Sequence, residues 1–208
     1  MEIKNRITRF SNLEENNSLS GYDGYTAQQH QNAYQVFYDF LSETAPARIL
    51  EIGTGQGGFT RFLRTTCNEL ELNTEIRTFD ISLNRNETVS GIQYSNQNIF
   101  NDNWSTADQD AVSFIQGDGV TVVLCDGGWK VGEFNILSNY IKPGDFILGH
   151  DYAENEEIFQ QSINKVIWNW HELKLSDVSP AIERNNLTEY KKEIFSNAAW
   201  LCTKKNLH

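Results

Sequence analysis

Apolar and polar positions along this chain follow two different spacings, and each spacing predicts one kind of element. From Thr26 onward apolar residues recur every three or four positions, which predicts an amphipathic helix that Pro46 ends. Beyond Pro46 short apolar segments alternate with helical stretches, a pattern typical of a parallel sheet with crossover helices. The predicted strands are Arg48–Ile52, Glu75–Asp80, Gly91–Ser95, Val120–Cys125 and Asp145–His150. The predicted helices are Gly58–Thr66, Ala107–Ile115, Glu133–Tyr140 and Glu156–Glu172.

The two ends of the chain depart from this alternation. The first residues are polar and rich in Asn, Ser and Gly, so we expect an arm or lid at residues 1–25 and one domain at residues 26–208. Toward the other end, Val178–Glu183 and Ala198–Thr203 are predicted as two strands of an antiparallel hairpin at the sheet edge. The expected fold class is α/β, with a doubly wound sheet, helices on both faces and this C-terminal hairpin.

Charge and cysteine content narrow the function classes. The chain has 17 Lys and Arg against 28 Asp and Glu, a formal charge of −11, so we expect no nucleic-acid partner. No apolar run approaches the ~20 residues of a membrane span, and the first residues lack the apolar segment of a signal peptide. Three cysteines that are far apart in sequence favour a reducing compartment over a disulfide framework. We therefore expect a cytoplasmic protein without a membrane partner.

A glycine-rich segment separates the strand Arg48–Ile52 from the next helix. Gly53, Gly55 and Gly58 fit the GxGxxG pattern, in which glycines permit a tight turn and the helix N-terminus offers unpaired N–H groups. Asp80 ends the following strand, a position that suits a ribose diol. Glu51 precedes the loop and suits a cationic or amino group better than a pyrophosphate. The loop predicts a nucleotide-like cofactor and leaves NAD open.

Glu51-x-Gly53-x-Gly55-x-Gly57, together with Asp80, resembles the first two motifs of class I S-adenosylmethionine (SAM)-dependent methyltransferases. The resemblance extends over roughly Arg48 to Thr203 and implies a Rossmann-like class I methyltransferase sheet. It also implies that the glycine loop holds the methionine part of SAM, that the acid holds the ribose, and that adenine lies near residues 95–98. The implied cofactor-binding residues are Glu51, Gly53, Thr54, Gly55, Gly57, Asp80, Ile81, Asn98 and Asp126.

Residues with reactive or charged side chains follow two later strands. Asp126 and Lys130 follow Val120–Cys125, whereas His150 and Asp151 end the next strand. Because the carboxyl ends of parallel strands meet at one crevice, we expect these side chains to converge. Two carboxylates and an imidazole could bind a divalent cation, with Mg²⁺ and Mn²⁺ as candidates. The alternatives are that both acids cap helices or turns, that the lysine is solvated and that the histidine binds no metal.

The segments Asp126-Gly127-Gly128 and Gly149-His150-Asp151 resemble the cephalosporin hydroxylase and rhamnosyl O-methyltransferase group. That resemblance implies methyl transfer from SAM to a hydroxyl of a sugar, either a glycan or a glycoside, with a divalent metal at Asp126, His150 and Asp151. The candidate catalytic residues are Asp126, Lys130 and His150, because a cation at the carboxylates lowers the pKa of the hydroxyl and Lys130 or His150 accepts its proton. A lysine soon after the first of these acids resembles the catechol-type enzymes, whereas sugar enzymes tend to have a His base where this chain has Trp129. The chain departs from the group at His150, where a Glu is usual.

Three other functions remain open at this point. A catechol-type phenol O-methyltransferase differs only in its acceptor, an NAD-dependent oxidoreductase would use the GxGxxG loop, and a non-catalytic module would bind the cofactor without transfer. Tyr22, Tyr25, Gln29 and His30 precede the first helix and are interpreted either as lid residues or as side chains that pack on the sheet. The sequence leaves open the oligomeric state and membership of a larger multidomain enzyme.

Overall fold

A seven-stranded sheet organises the chain, flanked by helices and by two small sheets. The structure is a computed structural model that describes residues 3–9, 20–82, 88–167 and 169–207. The described strands are β1 (Ile7–Arg9), β2 (Ser20–Tyr22), β3 (Tyr25–Thr26), β4 (Arg48–Ile52), β5 (Glu75–Asp80), β6 (Ile92–Asn96), β7 (Thr121–Cys125), β8 (Phe146–His150), β9 (Tyr152–Ala153), β10 (Leu173–Lys174), β11 (Leu187–Glu189) and β12 (Trp200–Lys205). The described helices are α1 (Asn32–Thr44), α2 (Gly58–Glu69), α3 (Gln109–Ile115), α4 (Lys130–Leu137), α5 (Glu156–Ile158), α6 (Leu175–Arg184) and α7 (Lys192–Ser196).

The strand order of the central sheet creates a crevice at one edge. The order is β11-β12-β8-β7-β4-β5-β6, in which β4 pairs in parallel with both β5 and β7. The chain therefore winds in opposite directions from β4, and ligands of open α/β sheets bind outside the carboxyl ends of strands at such a reversal. β12 runs antiparallel between β8 and β11. Dinucleotide-binding sheets of the 3-2-1-4-5-6 order lack this antiparallel insertion.

Hydrophobic side chains cover both faces of this sheet. The strand residues Ile49, Val122 and Leu148 belong to one core cluster, with buried residues of α1 and α2. Leu50, Val123 and Ile147 point to the other face and belong to a second cluster, which α3 and α4 complete. Alternation along the strands thus fills two layers, and the rigid sheet fixes the positions of the loops that follow each strand.

Most of the predicted elements are confirmed, some of them with shifted bounds. β4 and β5 match their predicted ranges, and the other parallel strands differ by one residue at either end. The predicted strand Val178–Glu183 is wrong, because these residues lie in α6, whose buried Val178 and Ala181 are three positions apart. The edge strand that pairs with β12 is instead β11, so the antiparallel C-terminal strands are present with a different partner. The predicted helix Glu156–Glu172 is confirmed only in its first half, because α5 continues as a π-helix at Phe159–Ile163 and turns follow at residues 164–167.

The described part of the predicted arm packs against α2. Residues 1–2 and 10–19 of the arm lie outside the described residues. Tyr22 is fully buried, with its ring 5.6 Å from that of Phe62 on α2. The first predicted helix begins at Asn32 in the structure, after residues 27–31 without regular structure, and not at Thr26. Within the described ranges, no helix has the length and apolar character needed to cross a membrane.

Candidate functional site

A cavity of about 630 Å³ opens at the carboxyl ends of β4, β5 and β7. Its volume lies in the range of pockets that hold small molecules and cofactors. Seven of the nine predicted cofactor-binding residues line it, at the end of a strand or in the loop that follows, and Gln56, Phe100, Trp104 and Trp129 also contribute to its wall. The seven are Gly53, Thr54, Gly55, Asp80, Ile81, Asn98 and Asp126.

The glycine loop after β4 approaches the loop after β7 very closely. Gly53 has a φ of 92°, and a Cβ built on it would lie 2.1 Å from the carbonyl oxygen of Asp126. Only glycine fits at such a contact between two backbones. Gly55 faces open space, whereas Gly57 precedes α2 and donates its N–H to the Thr54 carbonyl at 2.8 Å. Gly57 therefore shapes the turn without lining the cavity.

Asp80 connects the end of β5 to the glycine loop. Its Oδ2 accepts a hydrogen bond from the Gly55 N–H at 2.8 Å, and its Oδ1 accepts one from the Ser82 N–H at 2.9 Å. The carboxylate lines the cavity and has further lone pairs, because each carboxylate oxygen can accept more than one hydrogen bond. Its position suits hydroxyl donors such as a ribose diol.

Glu51 departs from its predicted role. Its side chain is 1% exposed and its Oε2 accepts hydrogen bonds from Thr60 Oγ1 at 2.6 Å and Thr78 Oγ1 at 2.5 Å. It lies below the loop and does not line the cavity. The carboxylate therefore joins α2 to β5 behind the glycine loop, and its contact with a ligand stays a prediction.

The predicted residues after β7 and β8 do converge. His150 Nδ1 lies 2.8 Å from Asp126 Oδ1 and 3.4 Å from Asp151 Oδ1. Lys130 Nζ lies 2.9 Å from Asp151 Oδ2 and 3.3 Å from Glu172 Oε2. Only Asp126 among these five residues lines the cavity, so the other four form a buried or partly buried layer behind it. We call these five residues the charged cluster.

Two further contacts connect the charged cluster to distant parts of the chain. Gln29 Nε2 donates to Asp126 Oδ2 at 2.7 Å, and Trp200 Nε1 donates to Gln29 Oε1 at 2.8 Å. Gln29 is fully buried, so the interpretation as a side chain that packs on the sheet holds for it. Glu172 was missed from the sequence, because it precedes β10 in a segment that was predicted to be helical and is not.

The charges of the cluster decide which groups can accept a proton. Burial lowers the pKa of Lys130, but the carboxylates of Asp126 and Asp151 outweigh burial and raise that pKa above its usual range. This raised pKa favours the ammonium form of Lys130, whereas its predicted role as a proton acceptor requires the neutral amine. Burial likewise lowers the pKa of His150, and the same two carboxylates raise it overall.

Glu133 supports the loop between β7 and α4. Its Oε2 accepts from the Gly127 N–H at 3.1 Å and its Oε1 from the Trp129 N–H at 3.2 Å. Burial raises its pKa to about 7, against the lowering effect of these two hydrogen bonds. Sequence reasoning missed this residue. The available signal was an acid in the first turn of a helix that follows two glycines.

The predicted metal ligands contact one another in this arrangement. Within the described ranges, no group of three or more His, Cys, Asp and Glu side chains is arranged to hold a metal ion. Asp126 Oδ1 contacts His150, Asp126 Oδ2 accepts from Gln29, and the ammonium of Lys130 contacts Asp151. The Lys130 ammonium and the His150 imidazole already contact these carboxylates from the side on which a metal ion would bind, so the side chains as arranged do not fit a divalent metal.

Aromatic side chains form one wall of the cavity. Phe100 and Trp104 stack with their ring centroids 4.6 Å apart, and Trp104 meets Trp129 edge to face at 4.8 Å. Trp129 is 45% exposed, which is high for a residue of this size, so part of its ring is available to a ligand. Sequence reasoning did not assign Trp104 to the site.

Comparison with known proteins identifies the fold. No protein-family model and no curated protein sequence matches the chain. A solved structure of CmcI with Mg and SAM matches with a TM-score of 0.63 at 15% identity, covering 89% of this chain and 75% of that one. A CmcI apo structure matches with a TM-score of 0.62 at 11% identity, covering 90% and 76%.

A third solved structure extends the comparison. The CMeT domain of citrinin polyketide synthase matches with a TM-score of 0.52 at 17% identity, covering 83% of this chain and 52% of that one. At identities this low the likeness concerns the fold, so function has to be argued from the site. The chain has the Rossmann-like α/β fold of these methyltransferase structures, with antiparallel C-terminal strands, as the sequence predicted.

Proposed function

We propose that the protein is a SAM-dependent O-methyltransferase that acts on a hydroxyl of a sugar, either a glycan or a glycoside. The observation that carries the proposal is a single cavity with Gly55 and Asp80 on one side and Asp126 on another, within a methyltransferase fold. The glycine loop suits the methionine part of SAM, and Asp80 suits its ribose. Asp126 is an ionisable group on the side of the cavity where the acceptor would bind.

The shape of the glycine loop supports SAM as the cofactor. A Cβ built on Gly55 meets no atom within 4 Å, so the backbone there borders space that a ligand can fill. Asp80 stands beside it and offers acceptors to a ribose diol. CmcI has been solved with Mg and SAM on the same fold, which adds support. The antiparallel β12 argues against the alternative of an NAD-dependent oxidoreductase.

The chemistry assigned to the chain centres on Asp126. When bound, SAM would supply an electrophilic methyl group, whose bond to the sulfonium sulfur breaks and leaves S-adenosylhomocysteine. The acceptor hydroxyl donates a hydrogen bond to the Asp126 carboxylate, which orients the oxygen and takes the proton as the oxygen–carbon bond forms. His150 lies behind Asp126 and contacts its Oδ1 at 2.8 Å, which holds the carboxylate in position beside the cavity.

A divalent metal at Asp126, His150 and Asp151 is the sequence-based alternative to a metal-free site. The CmcI structure with Mg supports that alternative, whereas the side-chain contacts of this chain do not fit a metal ion. No step proposed here depends on a metal.

A phenol is the second candidate acceptor. The observation in its favour is the aromatic wall of Phe100, Trp104 and Trp129, because aromatic rings pack well against one another. The resemblance of residues 126–128 and 149–151 to sugar-modifying enzymes favours the sugar.

The test is calorimetric titration with S-adenosylhomocysteine (SAH), the demethylated product of SAM, followed by an acceptor panel. We expect micromolar binding by the wild type, and at least about tenfold weaker binding by Asp80→Ala, since a ribose contact is lost. Asp39→Ala is the matched control, because Asp39 is an exposed acid on α1 that does not line the cavity.

The outcomes separate the candidate functions. Methylation of sugars identifies the first acceptor class, and methylation of catechols identifies the second. SAH binding without turnover on either panel supports a non-catalytic module. Binding of NADH in place of SAH contradicts the proposal altogether.

A further inference from the structure

We infer that the ammonium of Lys130 is the resident cation of the charged cluster, so that the site works without a divalent metal and binds one only when Lys130 is removed. This inference rests on the proposed function for its catalytic part. Its structural part, the exclusion of metal by a lysine, stands on geometry and is tested separately.

Three oxygen atoms surround the ammonium. Lys130 Nζ lies 2.8 Å from the Gly127 carbonyl oxygen, 2.9 Å from Asp151 Oδ2 and 3.3 Å from Glu172 Oε2. An ammonium group has three N–H donors, so all three are matched by acceptors. The residue is only 7% exposed, which leaves little access for water to compete. Oxygen atoms gathered around one point are also what Mg²⁺ selects, but the ammonium already holds that position.

The Glu172 carboxylate holds Lys130 at two points, its backbone N–H and its ammonium. Glu172 Oε1 accepts the Lys130 N–H at 2.9 Å while Oε2 contacts the ammonium of the same residue. One carboxylate therefore holds both ends of the lysine, at the first residue of α4. A side chain held at both ends loses little further entropy when it binds its partners, so the contact is favoured over a mobile ion.

Charge explains why metal and lysine exclude each other. A divalent ion at Asp151 would lie within a few ångströms of the ammonium, where like charges repel strongly in a buried site. The Nδ1 of His150 is already hydrogen-bonded to Asp126 Oδ1. His150 also stands where the resembled family usually has a glutamate, so this site has one carboxylate fewer. Replacing Lys130 by an uncharged side chain leaves Asp126, Asp151 and Glu172 with excess negative charge, which a divalent cation neutralises.

Lys130 acts on the reaction through other groups, because it does not line the cavity. It holds the Gly127 carbonyl, and thereby the loop that begins with Asp126. We therefore describe it as a positioning residue. Its removal is expected to weaken turnover through Asp126 and to create a metal dependence that the wild type lacks.

The experiment compares the wild type with Lys130→Met and with Lys142→Met. Lys142 is a matched control because its ammonium also contacts a buried acid, Asp145, at 2.6 Å, but at the opposite end of β8. Mn²⁺ binding is measured by electron paramagnetic resonance. Melting temperatures in EDTA and in Mg²⁺, SAH affinity, and turnover on the accepted hydroxyl compound are measured on the same samples.

We expect the wild type and Lys142→Met to show no Mn²⁺ binding below millimolar concentration and equal turnover in EDTA and Mg²⁺. Lys130→Met is expected to bind Mn²⁺ at least about tenfold more tightly and to melt at a higher temperature in Mg²⁺ than in EDTA. Lys130→Gln, which keeps a hydrogen-bond donor without charge, should behave in the same way and serves if the methionine variant does not fold.

Two results overturn the inference. One is metal binding by the wild type with loss of turnover in EDTA, and the other is a folded Lys130 variant that gains no metal affinity. Failure of the proposed function is recognised separately, because it removes SAH binding from the wild type and leaves the Mn²⁺ measurements interpretable.

Discussion

Replacing Gly53 with alanine should destabilise the protein far more than the same replacement at Gly55, although both glycines belong to one loop. Both have positive φ angles, 92° at Gly53 and 52° at Gly55. A Cβ on Gly53 would meet three backbone atoms of Asp126 and Gly127 at 2.1 to 2.8 Å, whereas a Cβ on Gly55 would meet nothing within 4 Å. The comparison therefore separates the cost of a backbone conformation from the cost of a steric overlap.

The expected magnitudes follow from these two terms. A left-handed conformation costs a residue with a Cβ roughly 1–2 kcal/mol, and this is the whole expected cost for Gly55→Ala. At Gly53 the overlap adds to it, since neither backbone can move without separating β4 from β7, and we expect a loss of at least about 4 kcal/mol. In a domain of this size each kcal/mol lowers the melting temperature by about 2–4 °C, so the shifts are about 2–8 °C and at least about 8–16 °C.

The assay is thermal and urea unfolding of both variants, followed by circular dichroism, with SAH titration of each folded protein. Gly55→Ala should stay folded and bind SAH more weakly, because its Cβ protrudes into the cavity. Equal losses of stability in the two variants would refute the reasoning, since they would mean that the close approach of the two loops contributes nothing.

Three further predictions concern residues that support the cavity. Burial raises the pKa of Glu133 from 4.5 to about 7, so the native state holds its proton longer and stability falls as pH rises between these values. In Glu133→Gln this loss of unfolding free energy, on the order of 3 kcal/mol, should be absent. The urea midpoints of the variant at pH 5 and pH 8 should therefore differ less than those of the wild type, and an equal difference would contradict the prediction. Gln29→Ala leaves Asp126 Oδ2 and an indole N–H without this partner and should cost about 1–3 kcal/mol, measured by urea unfolding; a neutral result would argue against the contact. Thr60→Val removes one hydrogen-bond donor to the buried Glu51 and should lower the free energy of unfolding by about 1.5–3 kcal/mol. Calorimetry should show unchanged SAH affinity, and a large loss of affinity would indicate that Glu51 contacts the cofactor.

Strands and loops near the cavity could be predicted because their signals are local. β4 is followed directly by a glycine and β5 ends at an acid, so the ends of both strands follow from a few neighbouring residues. The positions of Asp80 and Asp126 in the cavity could be predicted as well. Asp80 ends its strand, Asp126 follows its strand directly, and the strand ends share one edge of the sheet.

Features set by distant contacts could not be predicted in this way. The ionisation of Lys130 depends on Asp151 and on Glu172, which are 21 and 42 residues away in sequence. The direction of Glu51 depends on which strand face it occupies, and Thr60 and Thr78 become its partners only after the sheet forms. α6 was misjudged because a six-residue segment is too short to distinguish a period of two from one of 3.6.

The position of the antiparallel β12 late in the chain determines when the cavity can assemble during protein synthesis. Trp200 begins that strand, lies beside His150 with ring centroids 4.8 Å apart, and holds Gln29, which is 171 residues earlier in the chain. Contacts between such distant segments form slowly, and on the ribosome the earlier segment emerges long before the later one. Gln29 and Asp126 therefore reach their final arrangement only after nearly all of the chain has been synthesised, so an incomplete chain carries the glycine loop but not a finished reaction centre.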